Sequence, residues 1–209
     1  MINRLILITL INFMLLSGSD FEVRTFCSIV SGCDAQEYEG TIYYATDGGL
    51  VALGGDGVTT VYDIDDGLYK PDIFRLEKDF RGMIWAGHKD CSFSVFDVLK
   101  KRSVYLNDIE QAGTFTLNNI FSSSEFVYIA TSGLLSRYRY NELFDKYEIA
   151  DTNTMTGDVR DVIVFGGTVY IGTAEGVRSI SENSQNINFM DNWNTVSGIN
   201  VKVNSFVSS

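Results

Sequence analysis

Histidine occurs once in the chain, at His88, and proline once, at Pro71. A single histidine without a Ser or Cys partner at a recognisable spacing supplies no nucleophilic triad. The three cysteines, Cys27, Cys33 and Cys91, include no CxxC pair and no Cys/His cluster, so no zinc site is expected and no other metal or cofactor is implied. Positive charge is scarce: 16 Lys and Arg against 27 Asp and Glu leave a net charge of −11. That balance disfavours an electrostatic grip on nucleic acid or on anionic lipid. Lys100-Lys101-Arg102 is a short basic cluster, read here as a solvated hairpin turn. No periodic helix stands out in the body of the chain.

Glycine, by contrast, is frequent (19), and Tyr and Phe number 11 and 14. With proline almost missing, this composition suits stacked sheets joined by Gly-bearing turns. The amino end is different in kind. Arg4 precedes Leu5–Leu16, an apolar stretch shorter than the roughly 20 residues that a membrane span needs, and Ser17-Gly18-Ser19 follows. The stretch reads as a signal peptide over 1–19, the other reading being a buried or anchoring helix. Ser19 stands where a lipoprotein box would carry its Cys, which argues against a lipid anchor. Export is therefore expected, to the periplasm, the cell surface or the medium, with no stable membrane span after cleavage. In an oxidising compartment Cys27 and Cys33 could close a small loop; three half-buried thiols are the alternative.

One pattern is written four times. Thr41–Leu53 (TIYYATDGGLVAL), Gly82–Phe96, Phe126–Tyr138 and Thr168–Ile180 (TVYIGTAEGVRSI) each run an aromatic-rich apolar strand into a small residue, then Thr or His, then a polar turn. Thr46, His88, Thr131 and Thr173 recur at steps of 42, 43 and 42 residues. A period of about 40–45 residues with several short strands per repeat is the signature of a β-propeller blade. The expected fold is all-β, a propeller of four-stranded blades over approximately 27–65, 72–108, 114–151 and 158–192, within a propeller fragment spanning 20–209. Residues 201–209 resemble the first strand of the third blade and so would begin a fifth. The ring is expected to be incomplete, with Phe21–Phe26 as the outer strand of a closing blade. The fourth blade's outer strand is placed at Ile187–Met190.

The second blade can be read against a known repeat: Ile73, Leu76, Asp79, Gly82, Ile84-Trp85 and Gly87-His88, preceded by Asp66-Gly67-Leu68. It resembles the two-component regulator propeller repeat. The fourth blade keeps Gly167, Val169-Tyr170, Gly172-Thr173 and Gly176-Val177, and the third keeps Val127-Tyr128, Thr131 and Gly133-Leu134. His88 departs from the usual Thr, Lys89-Asp90-Cys91 lengthens its turn, and Asp79 has no counterpart in blades three and four. The resemblance implies an extracytoplasmic sensor region of a larger signalling protein; similar propellers occur in cell-surface and secretion-associated proteins.

The function expected is a ligand-sensing or protein-interaction module that does no chemistry itself. The alternatives are a propeller lyase or hydrolase and a purely structural cell-surface module. Propeller enzymes of the streptogramin-lyase type draw on more than one His, and this chain has one. Asp63-Ile64-Asp65-Asp66-Gly67 lacks the distal Glu of a calcium loop and reads as an inter-blade turn. Tyr43, Trp85, Tyr128 and Tyr170 share one strand position and are read as packing between blades. Binding residues are expected on the face carrying the second-to-third-strand turns and the inter-blade connections. These are Asp47, His88, Lys89, Asp90, Ser132 and Glu175 in or beside the turns, with Tyr69 and Asp158 in the connections. The ligand or partner itself has no signature.

Overall fold

The computed structural model describes residues 31–109, 114–154, 157–199 and 201–206. The signal peptide, the Phe21–Phe26 strand and Cys27 lie outside the described residues.

Four separate four-stranded antiparallel sheets follow one another along the chain. The first contains β1 (Gly32–Tyr38), β2 (Thr41–Thr46), β3 (Gly49–Leu53) and β4 (Thr59–Tyr62). The second contains β5 (Arg75–Lys78), β6 (Ile84–Gly87), β7 (Phe93–Asp97) and β8 (Arg102–Leu106). The third contains β9 (Leu117–Ser122), β10 (Phe126–Thr131), β11 (Leu135–Asn141) and β12 (Lys146–Asn153). The fourth contains β13 (Val159–Phe165), β14 (Thr168–Thr173), β15 (Gly176–Ser181) and β16 (Asn194–Thr195). Strands pair strictly in chain order, and the first strands β1, β5, β9 and β13 lie side by side along an inner edge. The sheets are the blades of an arc that does not close.

The continuous apolar runs in the sequence follow from this stacking. A blade inside the arc is covered on both faces, so β6 and β10 are buried at every residue. Their side chains divide by parity. Tyr43, Trp85 and Tyr128 point to the following blade, while Ile84 and Val127 point to the preceding one. Trp85 meets Tyr147 and Tyr138 of the third blade edge-on, with ring centroids 5.1 and 5.3 Å apart. Tyr170 occupies the same position in the fourth blade, where no further sheet follows among the described residues, and it is half-buried. At the other end of the arc, Ile42 and Val61 of the first blade are 38% and 39% exposed.

A small residue stands immediately before each of Thr46, His88, Thr131 and Thr173: Ala45, Gly87, Ala130 and Gly172. The next blade's first strand begins against it. A Cβ on Gly87 would lie 2.5 Å from Leu117 Cδ2, and one on Gly172 would lie 2.9 Å from Val203 Cγ1. The carboxyl-terminal segment therefore docks on the fourth blade as an incoming strand would. Val203 N–H donates to the Thr173 carbonyl at 3.1 Å and Phe206 N–H to Asp161 Oδ2 at 2.5 Å. Residues 201–206 form no strand ladder of their own.

The fourth blade's outer strand is not where the sequence suggested. Ile187 is buried, but its carbonyl accepts from Asn153 Nδ2 and Trp193 Nε1 instead of from a neighbouring strand. A 3-10 turn over Met190–Asn192 follows, and pairing with β15 begins only at Asn194. The buried Trp193 indole and the Asn153 amide both take the Ile187 carbonyl, an acceptor that a strand at 187–190 would have used.

Candidate functional site

The turns between second and third strands are built by one device in three of the four blades. The Thr46, Thr131 and Thr173 hydroxyls donate to the carbonyls of Gly49, Leu134 and Gly176 at 2.6, 3.0 and 3.0 Å. Each oxygen also accepts a backbone N–H from within the turn, from Gly48, Gly133 and Glu175 respectively. A buried threonine thus fixes a tight turn and presents the residues beyond it rigidly to solvent.

His88 replaces that threonine and does something else. The ring is fully buried, with Nδ1 2.9 Å from the Asp72 carbonyl and Nε2 3.1 Å from Ser94 Oγ. The Tyr69 N–H donates to the same Ser94 oxygen at 3.1 Å. The consistent arrangement is a neutral imidazole carrying its proton on Nδ1, with Ser94 donating to Nε2. Burial lowers the His88 pKa, against the pull of the Asp72 carbonyl and carboxylate. The turn-capping task passes to Asp90, whose Oδ1 accepts from Ser92 N–H and Ser92 Oγ at 3.2 and 2.6 Å. Its Oδ2 pairs with Lys70 at 2.5 Å, tying the connection from the first blade to this turn. Partial burial opposes the Asp90 charge, yet the bonds from Lys70 and Ser92 hold its pKa down at about 2.

The remaining expected positions are spread one or two to a blade. Asp47 is exposed and accepts from Ser31 N–H at 3.4 Å. Tyr69 is half-exposed and stacks on Tyr105 at 3.5 Å. Lys89 is exposed, with Nζ 5.6 Å from the Phe74 ring centre. Ser132 is exposed and its hydroxyl accepts from Thr116 N–H at 2.9 Å. Two positions do converge: Asp158 and Glu175 line one cavity of about 310 Å³ together with Thr173, Ala174, Arg178 and Met190. Asp158 pairs with Arg160 at 2.6 Å, and Glu175 lies 3.7 Å from Arg178.

A second cavity, of about 360 Å³, lies along the inner edge and was not anticipated. Its lining comes from first strands: Arg75, Asn118, Asn119, Arg160, Asp161 and the docked Asn204 and Ser205. Arg75 Nε donates to the Asn118 carbonyl at 2.7 Å, and Asn118 Nδ2 donates to Asp158 Oδ1 and the Val159 carbonyl at 3.1 and 2.8 Å. Asn119 Nδ2 donates to Asp161. Arg160 Nε is buried without a partner among the described residues. The signal is present as polar residues at matching places in successive repeats, Arg75, Asn118, Arg160 and Asn204, but it lies outside the repeated strand and turn.

Among the described residues no group of three or more His, Cys, Asp and Glu is arranged to hold a metal ion. No described helix is long and apolar enough to cross a membrane. Cys33 is exposed; Cys91 is buried, and burial with Asp90 nearby pushes its thiol up to about 12.

The blade geometry is shared with solved structures. The fold is that of a β-propeller. The propeller superposes with a TM-score of 0.68 on PorZ, an essential surface component of the type-IX secretion system of Porphyromonas gingivalis, at 16% identity over 83% of this chain and 23% of that one. It superposes at 0.65 on the extracellular domain of the putative hybrid two-component system BT4673 of B. thetaiotaomicron, at 11% identity over 84% of this chain and 25% of that one. The computationally designed Ika8 protein matches at 0.64, with 13% identity over 86% of this chain and 53% of that one. The chain thus spans about a quarter of the two natural proteins. No family model matches the sequence, and no curated protein matches it.

Proposed function

We propose that the chain is the ligand-sensing or protein-interaction propeller of an exported, larger extracytoplasmic protein, that 1–19 is its signal peptide, and that it binds without catalysing. One observation carries the reading. The face made by the second-to-third-strand turns presents exposed polar groups on threonine-locked turns, while the single histidine beneath them is buried with both ring nitrogens bonded. His88 therefore offers no lone pair to a substrate, which disfavours the lyase or hydrolase alternative. Extracellular two-component domains and a secretion-system surface component among the similar structures support a sensing or interaction role outside the cytoplasm.

Within that face, the Asp158–Glu175 cavity is the proposed contact point, with Asp47, Tyr69, Lys89, Asp90 and Ser132 spread over the other blades of the same face. The test is a thermal-shift screen of the full-length protein against glycans and peptides. A ligand should raise Tm in the wild type and in the outer-strand control Thr60→Ala, and the shift should be lost in Asp158→Asn/Glu175→Gln. A ligand mapped to outer strands, or a turnover that falls with His88→Ala, would overturn the reading.

A further inference from the structure

The face opposite those turns carries a cleft of different character. It lies between the second and third blades, about 370 Å³ in volume, and is built from the turn between β5 and β6 and the hairpins β7–β8 and β11–β12. Arg81, Lys100, Arg102 and Lys146 line it against two carboxylates, Asp97 and Asp145. In a chain of net charge −11, four of the 16 basic side chains converge here. The acids are already engaged, Asp97 by Lys100 at 2.9 Å and Asp145 by the Tyr140 hydroxyl. Arg81, Arg102 and Lys146 make no ion pair among the described residues. The Arg81 guanidinium carbon sits over the Tyr140 ring, 3.3 Å from its centre, a contact that restrains the group.

The tips of the two hairpins that build the cleft carry apolar side chains. Leu99, between Asp97 and Lys100, is 85% exposed, and Leu143 and Phe144, beside Asp145, are 84% and 65% exposed. Tips of this kind on two neighbouring hairpins serve no packing within the blades. A restrained guanidinium beside exposed Arg and Lys side chains in a concavity, with apolar tips on the hairpins that build it, matches a chain segment that alternates carboxylates with apolar side chains. An anionic membrane fits less well, because a flat surface cannot enter the cleft and the remaining acidic surface repels it.

We propose that this cleft receives an acidic, partly apolar peptide segment of a partner protein, its carboxylates on Arg81, Arg102 and Lys146 and its apolar side chains on Leu99, Leu143 and Phe144. The inference rests on the interaction-module reading but uses the opposite face, so a dead Asp158–Glu175 cavity and a dead cleft are separate results. The test is fluorescence anisotropy of a labelled synthetic peptide alternating Glu with Leu and Phe, titrated with the 209-residue chain at low salt. A Gln-for-Glu peptide, inorganic phosphate and phosphatidylglycerol vesicles complete the set of probes. Binding of the Glu peptide is expected, weakened about tenfold or more by Arg102→Glu/Lys146→Glu and by added salt, and weakened also by Leu143→Ser. Arg102, Lys146 and Leu143 are exposed, so the variants should melt as the wild type does. No peptide binding, equal binding of the Gln peptide, indifference to the double variant, or competition by phosphate or vesicles alone would each overturn the proposal.

Discussion

Glu77 sits on β5 with Asp34 and Asp79 nearby, and its Oε1 accepts the Ser122 N–H of the next blade at 2.8 Å. Burial pushes its pKa up to about 7, with the two aspartates adding to the rise and the Ser122 bond and Lys78 opposing it. Because the folded pKa exceeds the unfolded value, stability from this group is complete below about pH 4.5 and is lost as the pH rises through about 7. Glu77→Gln keeps the acceptor and removes the charge. It should therefore be more stable than wild type by about 1–2 kcal/mol near pH 8, discounted for partial exposure, with the gap closing near pH 4.5. Urea denaturation of both proteins at the two pH values measures this, and a variant less stable near pH 8 would contradict it. His88 acts in the opposite direction, since its lowered pKa withdraws stability as the pH falls below the ordinary histidine range. That effect is common to both proteins and cancels in the comparison. Asp79 shows how a carboxylate tolerates burial: it accepts from Trp85 Nε1 at 2.9 Å, from Arg81 and Met83 N–H at 2.8 and 2.9 Å, and from the Tyr147 hydroxyl of the next blade.

At the scale of the element, the repeated strand and turn were the parts written most clearly. β2, β10 and β14 fall at the boundaries expected from the apolar runs, because each run is closed by the threonine that locks the following turn. β16 was not legible, because a buried tryptophan indole and an asparagine amide, neither of which has a period, displaced it. The small residue before each Thr was visible, but the reason for it was not: contact with the next blade spans some 30 residues of chain. Gly87→Ala should destabilise by about 1–3 kcal/mol, since the new methyl meets Leu117 Cδ2 and Ile120 Cδ1. Ala130 accepts a methyl at the same position, and the residue packed with it where blade three has Leu117 is Val159. Leu117→Val in the Gly87→Ala background should then recover part of the loss, as read from thermal melts of both variants. Failure of that rescue would mean that Gly87 is required for a reason other than this contact.

At the scale of the molecule, periodicity told where the blades are but not which residues their stacking brings together. Asp158 and Glu175 were marked separately, and only the fold places them in one cavity. The inner-edge residues Arg75 and Arg160 and the cleft around Arg102 leave no local signal, the first site being assembled from successive first strands and the second from distant turns. Lys100-Lys101-Arg102 read as a solvated turn, and two of its three residues line that cleft. The arc gives every blade's packing to its neighbours, so stability should be graded along it. The second and third blades are covered on both faces, whereas the first leaves Ile42 and Val61 exposed and the last leaves Tyr170 half-buried. Native-state hydrogen exchange, resolved by strand, tests this most directly. The slowest amides are expected in β6 and β10, faster exchange in β2 and β14, and the fastest in β1, β16 and residues 201–206. Equal protection of β1 and β10, or protection that falls steadily from one end of the chain to the other, would contradict an open arc of four mutually supporting blades.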